Sequence, residues 1–249
     1  VHPYLENAGP IVLAHRGGDE VAPENTMAAF QAAVEIGCRY VETDVHATAD
    51  GVLLAFHDDR LDRVTDRTGV IADLSYAEVK QAKVGGVYPI PTFEELLHTW
   101  PELRLNIDPK ADGAEAPLVD ILRRADVLHR VCIGSFSGAR LARLRRALGP
   151  DLCTSMGPWE VARLRFASWG LPTGRFDANC AQVPLKGYGV RLPDAAFVRA
   201  AHARNLAVHV WTINDESEMQ RLLDLGADGI VTDKPGLLKR ILQERGQWS

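Results

Sequence analysis

Tyr40-Val41-Glu42-Thr43-Asp44-Val45-His46-Ala47 has the composition of a strand. Side chains alternate between the two faces of an extended segment, so Glu42 and Asp44 point one way while Val41, Thr43 and Val45 point the other. Two carboxylates on one face are costly to bury unless positive charge sits between them, and a divalent cation can supply that charge. The same kind of segment recurs outward in both directions. Residues 11–17 read as a buried strand that carries His15 at its C-terminal end if Ile11 and Leu13 point inward. Pro23-Glu24-Asn25-Thr26 turns the chain, with Asn25 as the expected cap of a helix in which Phe30 and Val34 share a face and which ends at Gly37. After the acidic strand, Ala49-Asp50-Gly51 forms a tight reversal into a second extended segment, 52–57, that ends in His57-Asp58.

From 58 to about 100 the alternation lapses into a turn-rich stretch that begins Leu61-Asp62-Arg63-Val64-Thr65 and holds two short helical patterns at 75–83 and 93–100. So long an interruption between core elements is usually functional, and 58–100 is read as an inserted subdomain or lid over the site. Segment 103–110 then resumes as a strand with Asn106, Asp108 and Lys110 on one face. Helices are expected at 116–126, 139–148, 160–168, 194–204, 216–225 and 236–244, alternating with strands at 131–136, 152–156, 178–184, 207–213 and 229–232. Counting the His15, Glu42 and Asp108 segments gives eight strand–helix units, the number of a closed (β/α)8 TIM-type barrel with a small insertion after its second strand. An open doubly wound sheet alternates similarly but normally carries a glycine-rich dinucleotide turn after its first strand, and His15-Arg16-Gly17-Gly18-Asp19 lacks that fingerprint.

A chain of 249 residues with 46% hydrophobic and 24% charged residues is ordinary for a globular protein, so 1–249 is read as one catalytic barrel domain. The net charge of −5 and the interleaving of basic with acidic residues leave no basic stripe, which argues against a nucleic-acid partner. No apolar run approaches a membrane span and the N-terminus lacks a secretion-signal pattern, so no membrane insertion and a cytoplasmic location are expected. Cys38, Cys132, Cys153 and Cys180 stand singly among apolar neighbours, the pattern of buried free thiols.

Barrel enzymes hold their sites at the C-terminal ends of the strands, where His15, Glu42, Asp44, Asp108, Lys110 and Trp211 fall. Glu42, Asp44 and Asp108 offer three oxygen ligands from two strands, a set that suits one hard cation, Ca2+ or Mg2+, better than zinc. Pairing of these acids with Arg16, Arg39 or Lys110 is the competing reading. His15 and His57 are a pair of proton-transfer groups that titrate near neutrality. Arg16 and Lys110 can cradle a phosphoryl oxygen or balance the acids, and Trp211 can line the pocket or cap the barrel.

The runs His15-Arg16-Gly17-Gly18, Pro23-Glu24-Asn25-Thr26, Glu42-Thr43-Asp44-Val45, His57-Asp58, Leu61-Asp62-Arg63-Val64-Thr65, Asn106-Ile107-Asp108-Pro109-Lys110 and Gly229-Ile230-Val231-Thr232-Asp233-Lys234-Pro235 resemble the glycerophosphodiester phosphodiesterase family, in the right order and over nearly the whole chain. The resemblance implies a TIM-type barrel with a small inserted subdomain. It implies that His15 and His57 are the acid and base, that Arg16 and Lys110 hold the phosphate, and that Glu42, Asp44 and a third acid bind Ca2+ or Mg2+. The third position is usually glutamate in the family and is Asp108 here, followed by Pro109. The implied reaction is hydrolysis of a glycerophosphodiester to glycerol 3-phosphate and an alcohol through a cyclic phosphate. A lysophospholipase D or sphingomyelinase D-like activity is the neighbouring enzymatic alternative, and a non-catalytic phosphometabolite-binding barrel is the alternative of another class.

Overall fold

A computed structural model describes residues 1–187 and 190–248. Eight parallel strands run in the order expected of the repeat: β1 (Ile11–His15), β2 (Tyr40–Ala47), β3 (Arg104–Pro109), β4 (Val131–Ile133), β5 (Cys153–Thr154), β6 (Cys180–Pro184), β7 (Ala207–Trp211) and β8 (Gly229–Thr232). The helices that follow them are α1 (Met27–Ile36), α2 (Phe93–Thr99), α3 (Glu115–Ala125), α4 (Gly138–Leu148), α5 (Pro158–Ser168), α6 (Ala195–His202), α7 (Glu216–Asp224) and α8 (Pro235–Glu244). The hydrogen-bonded order is β5-β4-β3-β2-β1-β8-β7-β6. A parallel bridge between Ser155 and Cys180 joins the two ends, with the Met156 N–H donating to the Cys180 carbonyl at 2.9 Å. This closure separates the barrel from an open doubly wound sheet.

Alternation along the strands sorts side chains into two layers. Ile11, Leu13, Tyr40, Cys132, Cys153, Cys180 and Val231 fill the interior together with Tyr4, which a short 3-10 turn brings into the same cluster. Val12, Ala14, Val41, Val45, Leu105 and Ile107 face the helices in the main core. All four cysteines are free and buried. Strand register sets the next level. His15 pairs with Glu42, Glu42 with Asn106, and Asp44 with Asp108, so neighbouring strands present these side chains at matching heights.

Several elements are shorter than their patterns predict. The strand expected over 131–136 ends at Ile133, and the chain then leaves the sheet through Gly134 so that Ser135 and Phe136 lie at the mouth. The helix expected at 75–83 is the single turn Tyr76–Val79, because the next residues bury Val84 in a short antiparallel ladder, Lys83–Val84 against Tyr88–Pro89. Leu54, Phe56, Leu61, Ile71, Val79, Ala82, Val84 and Ile90 form a separate small core beside the barrel. The segment's last helix, α2, instead packs Phe93, Leu96 and Leu97 into the main core.

Candidate active site

At the end of β1 the backbone turns through three consecutive residues with positive φ, Arg16 (53°), Gly17 (88°) and Gly18 (86°). A left-handed arginine costs about 1–3 kcal/mol and is held by its surroundings. Its N–H donates to Glu42 Oε2 at 3.2 Å, and its carbonyl accepts from the Asn25 N–H at 2.8 Å. Gly17 cannot be replaced without displacement, since a Cβ there would lie 2.8 Å from Ala29 Cβ.

The cap of α1 differs from expectation. Thr26 is the cap, its Oγ1 accepting from the Ala29 N–H at 3.2 Å. Asn25 is committed elsewhere: its side-chain amide donates to Asp44 Oδ2 at 3.2 Å and accepts from Thr43 Oγ1 at 2.8 Å. Asn25 also has a positive φ and is buried, so it ties the first loop to the acidic strand.

The carboxylates divide by their partners. Asp44, 1% exposed, has Lys110 Nζ 2.7 Å from Oδ1 and Arg16 Nε 3.0 Å from Oδ2. Burial would raise its pKa, and Lys110 followed by Arg16 pull it below the usual value. Lys110 also reaches Asp108 Oδ2 at 2.7 Å, so its ammonium lies between the two acids. Burial opposes charge on the Lys110 ammonium, yet Asp44 and Asp108 raise its pKa. Asp108 itself is raised by burial, against the pull of Lys110. Glu42 is buried, with the Arg16 N–H at 3.2 Å and the His15 ring 3.9 Å away beside its carboxylate. Burial and then the Asp44 charge push it up to about 8.

Each histidine has a carboxylate on Nδ1. Asp233 Oδ1 lies 2.5 Å from His15 Nδ1, and Asp233 Oδ2 accepts from the Asn214 amide at 2.6 Å. Burial depresses the His15 pKa, but the Asp233 hydrogen bond and the Glu42 charge together carry it above the ordinary value. His57 Nδ1 lies 2.6 Å from Asp58 Oδ1, and the His57 carbonyl accepts from His46 Nε2 at 3.0 Å. Asp58 is brought down to about 2, chiefly by its Arg63 partner, against burial and with further help from His57. A carboxylate only accepts, so in both rings Nδ1 carries the proton and Nε2 is left for another partner.

His15, Arg16, Glu42, Asp44, His57, Asp108, Lys110 and Trp211 all border one cavity of about 480 Å3. Trp211 meets Phe136 edge-on, ring centroids 5.5 Å apart at 82°. Met156, Pro158, Val161 and Leu192 complete an uncharged sector of the same wall. Among the described residues no three His, Cys, Asp or Glu side chains converge on a point where a metal ion would sit. Asn25, His46, Asp58, Phe136, Asn214 and Asp233 are among the supporting residues to which residue type alone gave no role in the site. Asp233 and Asn214 had a signal: each lies just beyond the C-terminal end of a barrel strand.

The glycerophosphoryl diester phosphodiesterase family model matches residues 15–237. The chain belongs to that family. It is a phosphoric diester hydrolase of the glycerophosphodiester phosphodiesterase class. It is similar to a Mycobacterium tuberculosis protein named "Probable glycerophosphodiester phosphodiesterase 2", 39% identical with 98% of this chain and 95% of that protein covered. A crystal structure from Silicibacter pomeroyi DSS-3 superposes with a TM-score of 0.82 at 26% identity, covering 100% of this chain and 99% of the other. An Oleispira antarctica phosphodiesterase, solved in complex with the product sn-glycerol-3-phosphate, is 27% identical with a TM-score of 0.77, covering 94% and 97% of the two chains. The family match begins at His15 and extends past Asp233, so every residue of the cavity's polar side lies within it.

Proposed function

We propose that the protein hydrolyses glycerophosphodiesters to glycerol 3-phosphate and an alcohol, with His15 and His57 exchanging protons and Arg16 and Lys110 on the phosphoryl oxygens. The observation that carries this reading is that two histidines, each tied through Nδ1 to a carboxylate, border one cavity with these two cations. The glycerol 2-hydroxyl is adjacent to the phosphorus and already in place as a nucleophile. His57 takes its proton as the oxygen attacks, and the bond from phosphorus to the alcohol breaks as that alcohol takes a proton from His15. The raised pKa of His15 suits it to the donor role. The cyclic phosphate is then opened by water with the two proton roles reversed, which regenerates both rings.

The family is generally dependent on a divalent cation. The chemistry of the residues suits one, since Glu42, Asp44 and Asp108 border one cavity with oxygen donors only; as they stand the three carboxylates do not converge and Lys110 lies between Asp44 and Asp108, so an ion would take the place of that ammonium. Glu42, Asp44 and Asp108 would hold the ion through oxygen donors only, which favours Ca2+ or Mg2+. When bound, such an ion would supply positive charge to balance the phosphoryl group.

A second substrate class is favoured by the uncharged wall of Phe136, Met156, Val161, Leu192 and Trp211, which suits an acyl chain. A lysophospholipid with its chain on the glycerol 1-position keeps the 2-hydroxyl free and undergoes the same chemistry. The test is a product assay with glycerophosphocholine, glycerophosphoethanolamine and a short-chain lysophosphatidylcholine, with and without chelator. Glycerol 3-phosphate from the first two supports the primary reading. Products from the lysolipid alone would replace it with the second. Tight binding without any product would reduce the site to a phosphometabolite-binding barrel.

A further inference from the structure

Arg63 lies outside the barrel, in the turn-rich segment after His57, and its side chain is 47% exposed. It nevertheless makes two doubly contacted ion pairs. Nε and Nη2 reach Asp58 Oδ2 and Oδ1 at 2.6 and 3.1 Å, while Nη1 and Nη2 reach Glu24 Oε2 and Oε1 at 3.1 and 2.6 Å. Each acid continues inward. Asp58 Oδ1 holds His57 Nδ1 at 2.6 Å, and Glu24 Oε1 accepts from Arg16 Nη1 at 3.0 Å. One guanidinium therefore stands behind both His57, a proposed proton-transfer group, and Arg16, a proposed phosphate ligand.

The turn that presents Arg63 is itself braced. The Leu61 side chain is 1% exposed within the small core of the inserted segment. The Leu61 N–H donates to the Gly69 carbonyl at 3.0 Å, and Thr65 Oγ1 donates back to the Leu61 carbonyl at 2.8 Å. The Gly69 N–H also donates to Asp62 Oδ2 at 3.1 Å. These bonds place Arg63 at the apex of a closed turn rather than on a free arm. An ion pair this exposed adds little to folding stability, because solvent screens it and two long side chains must be ordered. What the planar fork adds is direction: its fixed donor geometry sets the planes of both carboxylates at once.

We propose that Arg63 is a positioning residue for the reaction, through which the inserted segment sets the orientation of His57 by way of Asp58 and of Arg16 by way of Glu24. This rests on the reading of the cavity as a glycerophosphodiester site and extends it to a residue that touches neither substrate nor the reacting atoms. A single lysine ammonium cannot contact both acids in the same bidentate way, so it is an incomplete substitute. Arg63 joins Glu24 to Asp58, so losing either pair transmits a different defect. Loss of the Asp58 side affects proton transfer and hence kcat, whereas loss of the Glu24 side loosens Arg16 and hence raises KM.

The experiment is steady-state kinetics on glycerophosphocholine for the wild-type chain and for Arg63→Ala, Arg63→Lys, Asp58→Asn and Glu24→Gln, with melting temperature measured on each sample. Wild-type turnover establishes the underlying function; its absence overturns that function and leaves no reaction for Arg63 to serve. With turnover present, Arg63→Ala is expected to lose about 10- to 100-fold in kcat/KM through both parameters at an essentially unchanged melting temperature. Arg63→Lys is expected to recover part of that loss. Asp58→Asn should act mainly on kcat, Glu24→Gln mainly on KM, and Arg63→Ala combined with either should add less than the sum of the two effects. Unchanged kcat and KM in Arg63→Ala would overturn the proposal. So would a loss that only follows the fraction of folded protein, with KM intact and no recovery in the lysine variant.

Discussion

Asp233 Oδ1 sits 2.5 Å from His15 Nδ1, joining the loop after the last barrel strand to the end of the first. Asn214 holds the other carboxylate oxygen at 2.6 Å. The charge on Asp233 favours the protonated ring, so Asp233→Asn should lower the His15 pKa. If protonated His15 is the donor, the alkaline limb of the kcat/KM profile should move to lower pH, with about a tenfold or larger loss at the optimum. A folded-state pKa above the unfolded one also means that His15 contributes stability below its ordinary value and loses it as pH rises through the raised one. That slope in melting temperature should flatten in Asp233→Asn. A profile and slope identical to wild type would remove Asp233 from this role.

His57→Ala is expected to lower kcat by at least about a hundredfold if His57 transfers the proton in the transition state. Its side chain is one-third exposed, so the fold should be little affected. Near-normal kcat in a folded variant would return His57 to a structural role.

Exhaustive chelation is expected to abolish turnover, with Mg2+ or Ca2+ restoring it. A saturating ion should also raise the melting temperature by roughly 5–10 °C, from about 2.7 kcal/mol at one hundred times Kd. The thermal effect should disappear in Glu42→Gln, which removes the buried charge that the ion would balance. Full activity without metal, or an equal thermal shift in the variant, would leave the acids as partners of Lys110 and Arg16 alone.

Trp211→Ala and Phe136→Ala are expected to raise KM, or to change the ranking of headgroups and acyl chains, with kcat for glycerophosphocholine largely retained. Their edge-to-face contact lies on the uncharged wall of the cavity. Parallel losses of kcat for every substrate would argue instead that the pair braces the barrel mouth.

Gly17→Ala should destabilise the fold by more than the ~1 kcal/mol that the same change contributes favourably where the backbone can accept a side chain. Its φ of 88° disfavours a side chain, and the added Cβ would press on Ala29 in α1. Because the same turn carries His15 and Arg16, activity should fall with stability. An unchanged melting temperature would show that the turn relaxes freely.

The barrel was legible in the chain because its signals are local. Strand–helix alternation repeats eight times, and β2 occupies the 40–47 predicted from its own alternation. The polar residues at strand ends were legible for the same reason, since a period of two assigns Glu42 and Asp44 to one face without reference to any other element. Other features depended on residues far apart in sequence meeting in space. Asn25 has the composition of a helix cap, yet Asp44 and Thr43 claim its amide and Thr26 takes the cap. Lys110 could have balanced several acids, and only the register of β2 against β3 sets it between Asp44 and Asp108. Barrel closure brings Asp233 to His15, and the inserted segment's turn brings Arg63 to Glu24 and Asp58. Local periodicity therefore determined the face on which Glu42, Asp44 and Asp108 lie. Which partner each one holds, and with it each proton and charge, was decided by contacts that exist only once the barrel has closed.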